Sequence, residues 1–147
     1  NEGNLEEAVV IYTKILDSVS EKDKNVIAVI RKHRGMAYFS MNDYKNALAD
    51  FEVSLQFDPK AYRTHYYKGI VYSITKDYEN ACSCFETSLE INPFQAHTNF
   101  RLAMAYYEIQ EYEKSMNALN TAIKLGMDPD ECKVLNDKLV KKFGLGM

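Results

Sequence analysis

The chain has 147 residues, 46% of them hydrophobic and 27% charged, and its formal net charge is −3. Such a composition is too apolar for a disordered chain, and so small a charge argues against non-specific nucleic-acid binding. No apolar run reaches the ~20 residues of a membrane-spanning helix, so we expect no membrane association. The three cysteines are an odd number without framework spacing, which favours a reduced compartment and a cytoplasmic location.

The most informative pattern is a recurrence of residue types every 34 positions. Two tyrosine series keep this spacing: Tyr38, Tyr72, Tyr106 and Tyr44, Tyr78, Tyr112. Small residues follow the same spacing at Gly35, Gly69 and Ala103. A fixed period of 20 to 50 residues indicates a solenoid, and 34 is typical of paired helices. The period therefore predicts an all-α, right-handed superhelical solenoid of antiparallel helix hairpins.

The predicted elements follow in chain order and form one array over residues 1–143. They are a second helix of a truncated repeat (1–18), three repeats (25–58, 59–92 and 93–127), a C-terminal capping helix (128–143) and a tail (144–147). Short polar bridges such as Thr75-Lys76-Asp77 predict antiparallel hairpins. The pairs Asp58-Pro59, Asn92-Pro93 and Asp128-Pro129 predict helix starts, because Asp or Asn caps a helix and proline fits its first turn. Gly144 is expected to end the last helix.

The residues at the repeated positions resemble the tetratricopeptide repeat. The first predicted repeat shows the family pattern as Gly35, Tyr38, Ala47, Phe51, Ser54 and Pro59, and the pattern recurs in the next two. The chain departs from the pattern at the usual Trp site, which holds Arg31, His65 and Asn99, and at a common Leu site, which holds Arg34 and Lys68. The resemblance implies a non-enzymatic scaffold or adaptor that holds a partner peptide or helix in a concave groove lined by the first helices.

The groove residues are predicted as those left on the first helices once the packing positions are removed, at helical i, i+3, i+4, i+7 spacing. They are Lys32, His33, Met36, Arg63, Tyr66, Tyr67, Ile70, His97, Phe100, Arg101 and Met104. Their aromatic and cationic character favours a partner with apolar anchors and some acidic groups. Packing between helices, or occupation by another part of the same protein, is the alternative explanation of this surface.

The sequence lacks the residue patterns of metal sites and enzymes. His33, His65 and His97 recur every 32 residues, out of step with the 34-residue period, so we expect no metal site. We likewise expect no cofactor and no catalytic residues, because no phosphate loop or nucleophile motif occurs. The rival functions are an architectural segment of a longer solenoid or multiprotein assembly, and a regulatory module of an enzyme whose catalytic domain lies outside this chain. The sequence leaves the oligomeric state open.

One specialised function of the family is disfavoured. Some members clamp the C-terminal carboxylate of heat-shock chaperones with Lys, Asn, Asn, Lys and Arg. The matching positions here hold Lys32, Met36, Tyr67, His97 and Arg101. Only the first and last match, and both amide side chains are absent.

Overall fold

The computed structural model describes residues 1–144, which form eight α-helices and no strand. The helices are α1 (Glu2–Ser18), α2 (Lys24–Ser40), α3 (Tyr44–Phe57), α4 (Tyr62–Ile74), α5 (Tyr78–Ile91), α6 (Ala96–Glu108), α7 (Tyr112–Lys124) and α8 (Pro129–Lys142). The all-α prediction is confirmed. Within the part of the chain that is described, no helix combines the length and the hydrophobicity needed to cross a bilayer.

The chain divides into two compact units, Asn1–Val71 and Tyr72–Met147, with the division inside α4. In unit 1, α1 packs on α2 and α2 packs on α3. In unit 2, α6 packs on both α5 and α7, and α8 packs on α7 and α6. Such neighbour-to-neighbour packing is typical of repeat proteins. Of the predicted tail, Gly144 has the positive φ of +67° expected at a helix end, and residues 145–147 lie outside the described part.

Small residues let the two helices of a hairpin approach closely. A Cβ atom added to Gly35 on α2 would lie 2.8 Å from Cε1 of Phe51 on α3, closer than carbon atoms tolerate. Phe51 is fully buried, as is Leu119 at the corresponding position of α7. The period thus identified both the buried side chain and the residue that makes room for it.

Two of the three proline pairs were assigned wrongly. Asp58 and Asn92 are the C-caps of α3 and α5, and the next helices begin only at Tyr62 and Ala96. A proline holds the residue before it in extended geometry, which suits the residue that ends a helix as well as an N-cap, so the dipeptide does not distinguish the two. Only Asp128 starts a helix, and its side chain accepts a hydrogen bond from the amide of Asp130.

Each predicted hairpin link contains a left-handed residue that the sequence did not reveal. Asn42, Lys76 and Gln110 have φ values of 61°, 62° and 66°. In the first link, the amide of Asn42 donates to the carbonyl of Phe39, and the amide of Asp43 donates to the carbonyl of Tyr38. These two hydrogen bonds close the end of α2 as in a Schellman motif. The other two links repeat the pattern, and Gly126 (φ 102°) follows α7 in the same way.

A buried carboxylate explains why Arg occupies two family positions in the first repeat. Asp50 on α3 is 2% exposed. Its oxygens accept hydrogen bonds from Nε and Nη2 of Arg34, both at 2.7 Å, and from Nη1 of Arg31 at 2.9 Å. Arg34 also donates to Oγ1 of Thr13, so it links α1, α2 and α3. The two departures noted in the sequence are therefore the partners of a single buried acid.

We expect Asp50→Ala to lower the free energy of unfolding by about 3 kcal/mol, because it leaves the Arg34 charge partly buried without its partner. Urea unfolding followed by circular dichroism measures the change. The third repeat supplies a matched control, since Asn99, Leu102 and Ala118 stand at the corresponding positions and are all buried. The triple variant Arg31→Asn, Arg34→Leu, Asp50→Ala should recover stability to within about 1 kcal/mol of wild type. A triple variant as unstable as Asp50→Ala would contradict this interpretation.

We expect Lys76→Gly to raise the free energy of unfolding by about 0.5–1 kcal/mol, because glycine adopts positive φ without strain. Asn42→Gly should gain less, since asparagine tolerates this conformation better than lysine. Lys133→Gly, in the exposed middle of α8, is the control and should lose about 1 kcal/mol. Equal losses at positions 76 and 133 in thermal melts would show that the link geometry does not govern the effect.

Candidate functional site

The predicted groove residues of unit 1 lie on α2 and α4, and all of them reach solvent. Arg63 and His33 are exposed, and the other five are partly buried. The five are Lys32, Met36, Tyr66, Tyr67 and Ile70. By contrast, Gly35 and Val71 on the same helices are buried. Each first helix therefore presents one side to the core of unit 1 and another to solvent.

Tyr67 belongs to both the core and the surface of unit 1. It packs, with Met36, against the buried cluster of Ala47, Phe51 and Val71. Its ring stacks on that of Phe51, with centroids 6.3 Å apart and planes at 22°, and meets the ring of Tyr66 edge-on at 5.5 Å. A partly exposed ring held on two sides has lost most of its freedom before any partner arrives, which favours binding.

The charge of this surface is smaller than the sequence indicated. His33 stacks on Tyr12, with ring centroids 6.3 Å apart. Partial burial, aided by the charge of Lys32, lowers the pKa of His33 below its ordinary value of 6.5. This shift favours the neutral form of His33, so Lys32 and Arg63 supply most of the positive charge among the predicted groove residues of unit 1.

The predicted groove residues of unit 2 all lie on α6. His97 and Arg101 are exposed, Met104 is 42% exposed and Phe100 is partly buried. Phe100 and Met104 border a cavity whose other wall comes from α8. Sequence reasoning missed this wall, because it treated α8 only as a cap. Cys132, Leu135 and Leu139 form the buried face of α8, and Val134 lies outside that face. An apolar residue at such a position was the sequence signal for this wall.

The histidines and cysteines have structural surroundings. Nε2 of His65 lies 2.9 Å from the carbonyl oxygen of Pro59, at the loop before its own helix. Burial raises the pKa of the Cys82 thiol to about 12, with a contribution from Glu86, and burial also raises the pKa of Cys132. Both thiols are therefore protonated and weakly nucleophilic at neutral pH. Within residues 1–144, no group of three or more potential ligands could hold a metal ion.

The chain combines paired helices with buried positions that recur every 34 residues. The family profile of the tetratricopeptide repeat matches residues 33–60, 62–95 and 96–125, which together exceed half of the chain. The chain belongs to the tetratricopeptide repeat family. A search of curated protein sequences finds no match.

Solved structures share the tetratricopeptide fold. MamA (residues 41 to the end) from Desulfovibrio magneticus RS-1 is 26% identical, with a TM-score of 0.81, over 95% of this chain and 77% of that one. The first such domain of Spaghetti (RPAP3), bound to the HSP90 peptide SRMEEVD, is 18% identical, with a TM-score of 0.73, over 79% and 95%. The TPR2B domain of yeast Sti1, in complex with pHsp70, is 19% identical, with a TM-score of 0.73, over 80% and 98%.

Proposed function

We propose that this tetratricopeptide repeat chain is a protein-interaction module that binds a partner peptide or helix on the solvent-facing sides of its first helices. The observation that supports this most is the exposure of the eleven predicted groove residues, none of which is buried, apolar side chains included. In unit 1 the rings of Tyr66 and Tyr67 contact each other and both reach solvent, and adjoining apolar side chains that reach solvent are typical of interaction surfaces. The peptide-bound structures of Spaghetti and Sti1 support the same class of partner.

The partner should combine apolar anchors with acidic groups. Arg63 and Arg101 are exposed, and neither has an ion-pair partner among the described residues. An acidic side chain in the partner would supply the missing counter-charge and speed encounter. The rings of Tyr66 and Tyr67 in unit 1, and of Phe100 in unit 2, offer large apolar contact areas with few rotatable bonds.

A second candidate function, an architectural segment of a larger assembly, is supported by α1. No residue of α1 is buried, and Val10 and Ile11 are 51% and 49% exposed. On α3, by contrast, Ala47, Asp50, Phe51 and Ser54 are buried, with α2 packed against that helix. Under this function, Ile11→Asp would disrupt assembly, whereas substitutions on the first helices would not.

The test of groove binding uses 12-residue peptides selected from a random phage-displayed library on the wild-type chain. We expect the selected sequences to be rich in Asp, Glu and aliphatic residues. The double variant Arg63→Glu, Arg101→Glu should weaken a selected peptide about tenfold or more, because attraction becomes repulsion. Fluorescence anisotropy with the synthetic labelled peptide measures the affinity, and circular dichroism checks that the variant is folded.

The matched control is Lys60→Glu, Lys124→Glu. Both pairs are exposed and reverse two charges, so each lowers the net charge of −3 by the same amount. Lys60 lies in the loop before α4 and Lys124 at the end of α7, and neither is a predicted groove residue. The control should change affinity less than twofold. Equal losses in the two variants would show a general charge effect, and unchanged affinity in both would reject groove recognition.

The chaperone peptide SRMEEVD should not bind this chain as it binds Spaghetti. Met36 and Tyr67 stand where a carboxylate clamp needs amide donors, and neither side chain can supply one. Isothermal titration with SRMEEVD should give no detectable heat of binding, with the Spaghetti domain as positive control. Saturable binding that Lys32→Ala and Arg101→Ala both abolish would show that a clamp operates without its amides.

A further inference from the structure

A cavity of about 120 Å³ lies between α6 and α8 in unit 2. Its walls are mainly apolar, from Phe100, Met104 and Tyr107 on α6 and Val134 and Leu135 on α8. This volume is far above the ~10–15 Å³ that a single water needs, so the cavity has room for one aliphatic side chain. It is therefore the size of a single anchor residue.

The cavity wall on α8 is unusual for a capping helix. The outer face of a terminal capping element is expected to be polar, because it meets water. Cys132, Leu135 and Leu139 are buried in the usual way, but Val134 is 68% exposed and borders the cavity. Across from it, Met104 on α6 is 42% exposed. Two exposed apolar side chains on opposite walls lose water contact only when something apolar fills the space between them.

The charged residues at the cavity restrict what can enter. Glu108 and Glu131 contribute two carboxylates and Lys138 one ammonium group, so the lining is negative by one charge. An acidic side chain would be repelled. The face of the Tyr107 ring, where a cationic side chain could bind, is already occupied, since Nζ of Lys138 lies 5.7 Å from the ring centroid. Size, apolar walls and charge together favour an uncharged aliphatic side chain.

We propose that the cavity between α6 and α8 is the anchor site for one uncharged aliphatic residue, Leu, Ile or Met, of the partner peptide. This proposal rests on the proposed function and assigns α8 to the binding surface. Within unit 2, the aliphatic and the acidic group of the partner would bind at different places. The aliphatic anchor enters the cavity, and an acidic group pairs with exposed Arg101, whose side chain is not part of the cavity lining.

The direct test uses N-acetyl-leucine amide as the probe and ¹³C-methyl-labelled methionines as reporters. The sequence contains six methionines, and of the five within residues 1–144 only Met104 lines the cavity. We expect the Met104 methyl resonance to shift in a saturable manner with millimolar N-acetyl-leucine amide. The amides of N-acetyl-asparagine and N-acetyl-glutamate should have little effect at equal concentration. Equal shifts for all three probes, or none for N-acetyl-leucine amide, would overturn the proposal.

A variant with a matched control locates the probe. Val134→Asp places a third carboxylate at the cavity and should abolish the Met104 shift, and it leaves the core intact because Val134 is exposed. Val26→Asp makes the same change at a residue of α2 in unit 1 that is 45% exposed, and it should leave the shift unchanged. Persistence of the shift in Val134→Asp would contradict the assignment.

The phage-selected peptides separate this proposal from the broader one. Val134→Asp should weaken a selected peptide roughly tenfold to a hundredfold, the effect of losing one buried aliphatic side chain. Replacing the anchor residue of the peptide by alanine should have a similar effect on wild type and little on the variant. If Arg63→Glu, Arg101→Glu weakens the peptide and Val134→Asp does not, groove binding stands and the anchor site is wrong. If N-acetyl-leucine amide shifts the Met104 resonance but Arg63→Glu, Arg101→Glu leaves the affinity for the peptide unchanged, the cavity binds an aliphatic group and groove binding is wrong.

Discussion

The close approach of two helices within a hairpin is the constraint on which the rest of the structure depends. In unit 1 the approach requires Gly35 on α2, because the ring of Phe51 on α3 fills the space that any side chain would need. In unit 2 the position of Gly35 is taken by Ala103 and the position of Phe51 by the smaller Leu119, and both residues are buried. The hydroxyl of Ser115 donates to the carbonyl of Ala103 at 2.6 Å, a bond that also depends on helix proximity. The small position and the large position therefore vary together.

Repeats built on the same period use different interactions beyond that approach. The first repeat buries a carboxylate and satisfies it with two guanidinium groups, whereas the third places Leu102 and Ala118 at two of those positions. A buried ion pair contributes little net stability compared with apolar residues of similar volume. Its hydrogen bonds are directional, however, and Arg34 reaches both Asp50 and Thr13. The network thus fixes how α1 and α3 are placed around α2, which apolar packing specifies less strictly.

The period predicted the fold because packing positions must recur wherever identical hairpins stack. It could not predict features that depend on how a helix ends. Asp58-Pro59 and Asp128-Pro129 look alike in sequence, but the first pair closes α3 and the second opens α8. Lys76 has a positive φ, but the position does not hold the glycine that usually indicates this conformation in a sequence. The exposed residues of the first helices were found by removing the packing positions, whereas Val134 was missed because a single repeat-like helix has no second copy for comparison.

The two surfaces differ in how firmly their side chains are held, and this difference bears on recognition. Tyr67 stacks on the buried Phe51, so its exposed edge is fixed by the core of unit 1. Rigid aromatic side chains lose little entropy on binding and favour one arrangement of the partner. Met104 and Val134 border an open cavity, and methionine adapts its shape to what it contacts. Under the proposed function, unit 1 would offer a rigid aromatic surface that selects the geometry of the partner, and unit 2 would offer an adaptable site for one aliphatic anchor, whether Leu, Ile or Met.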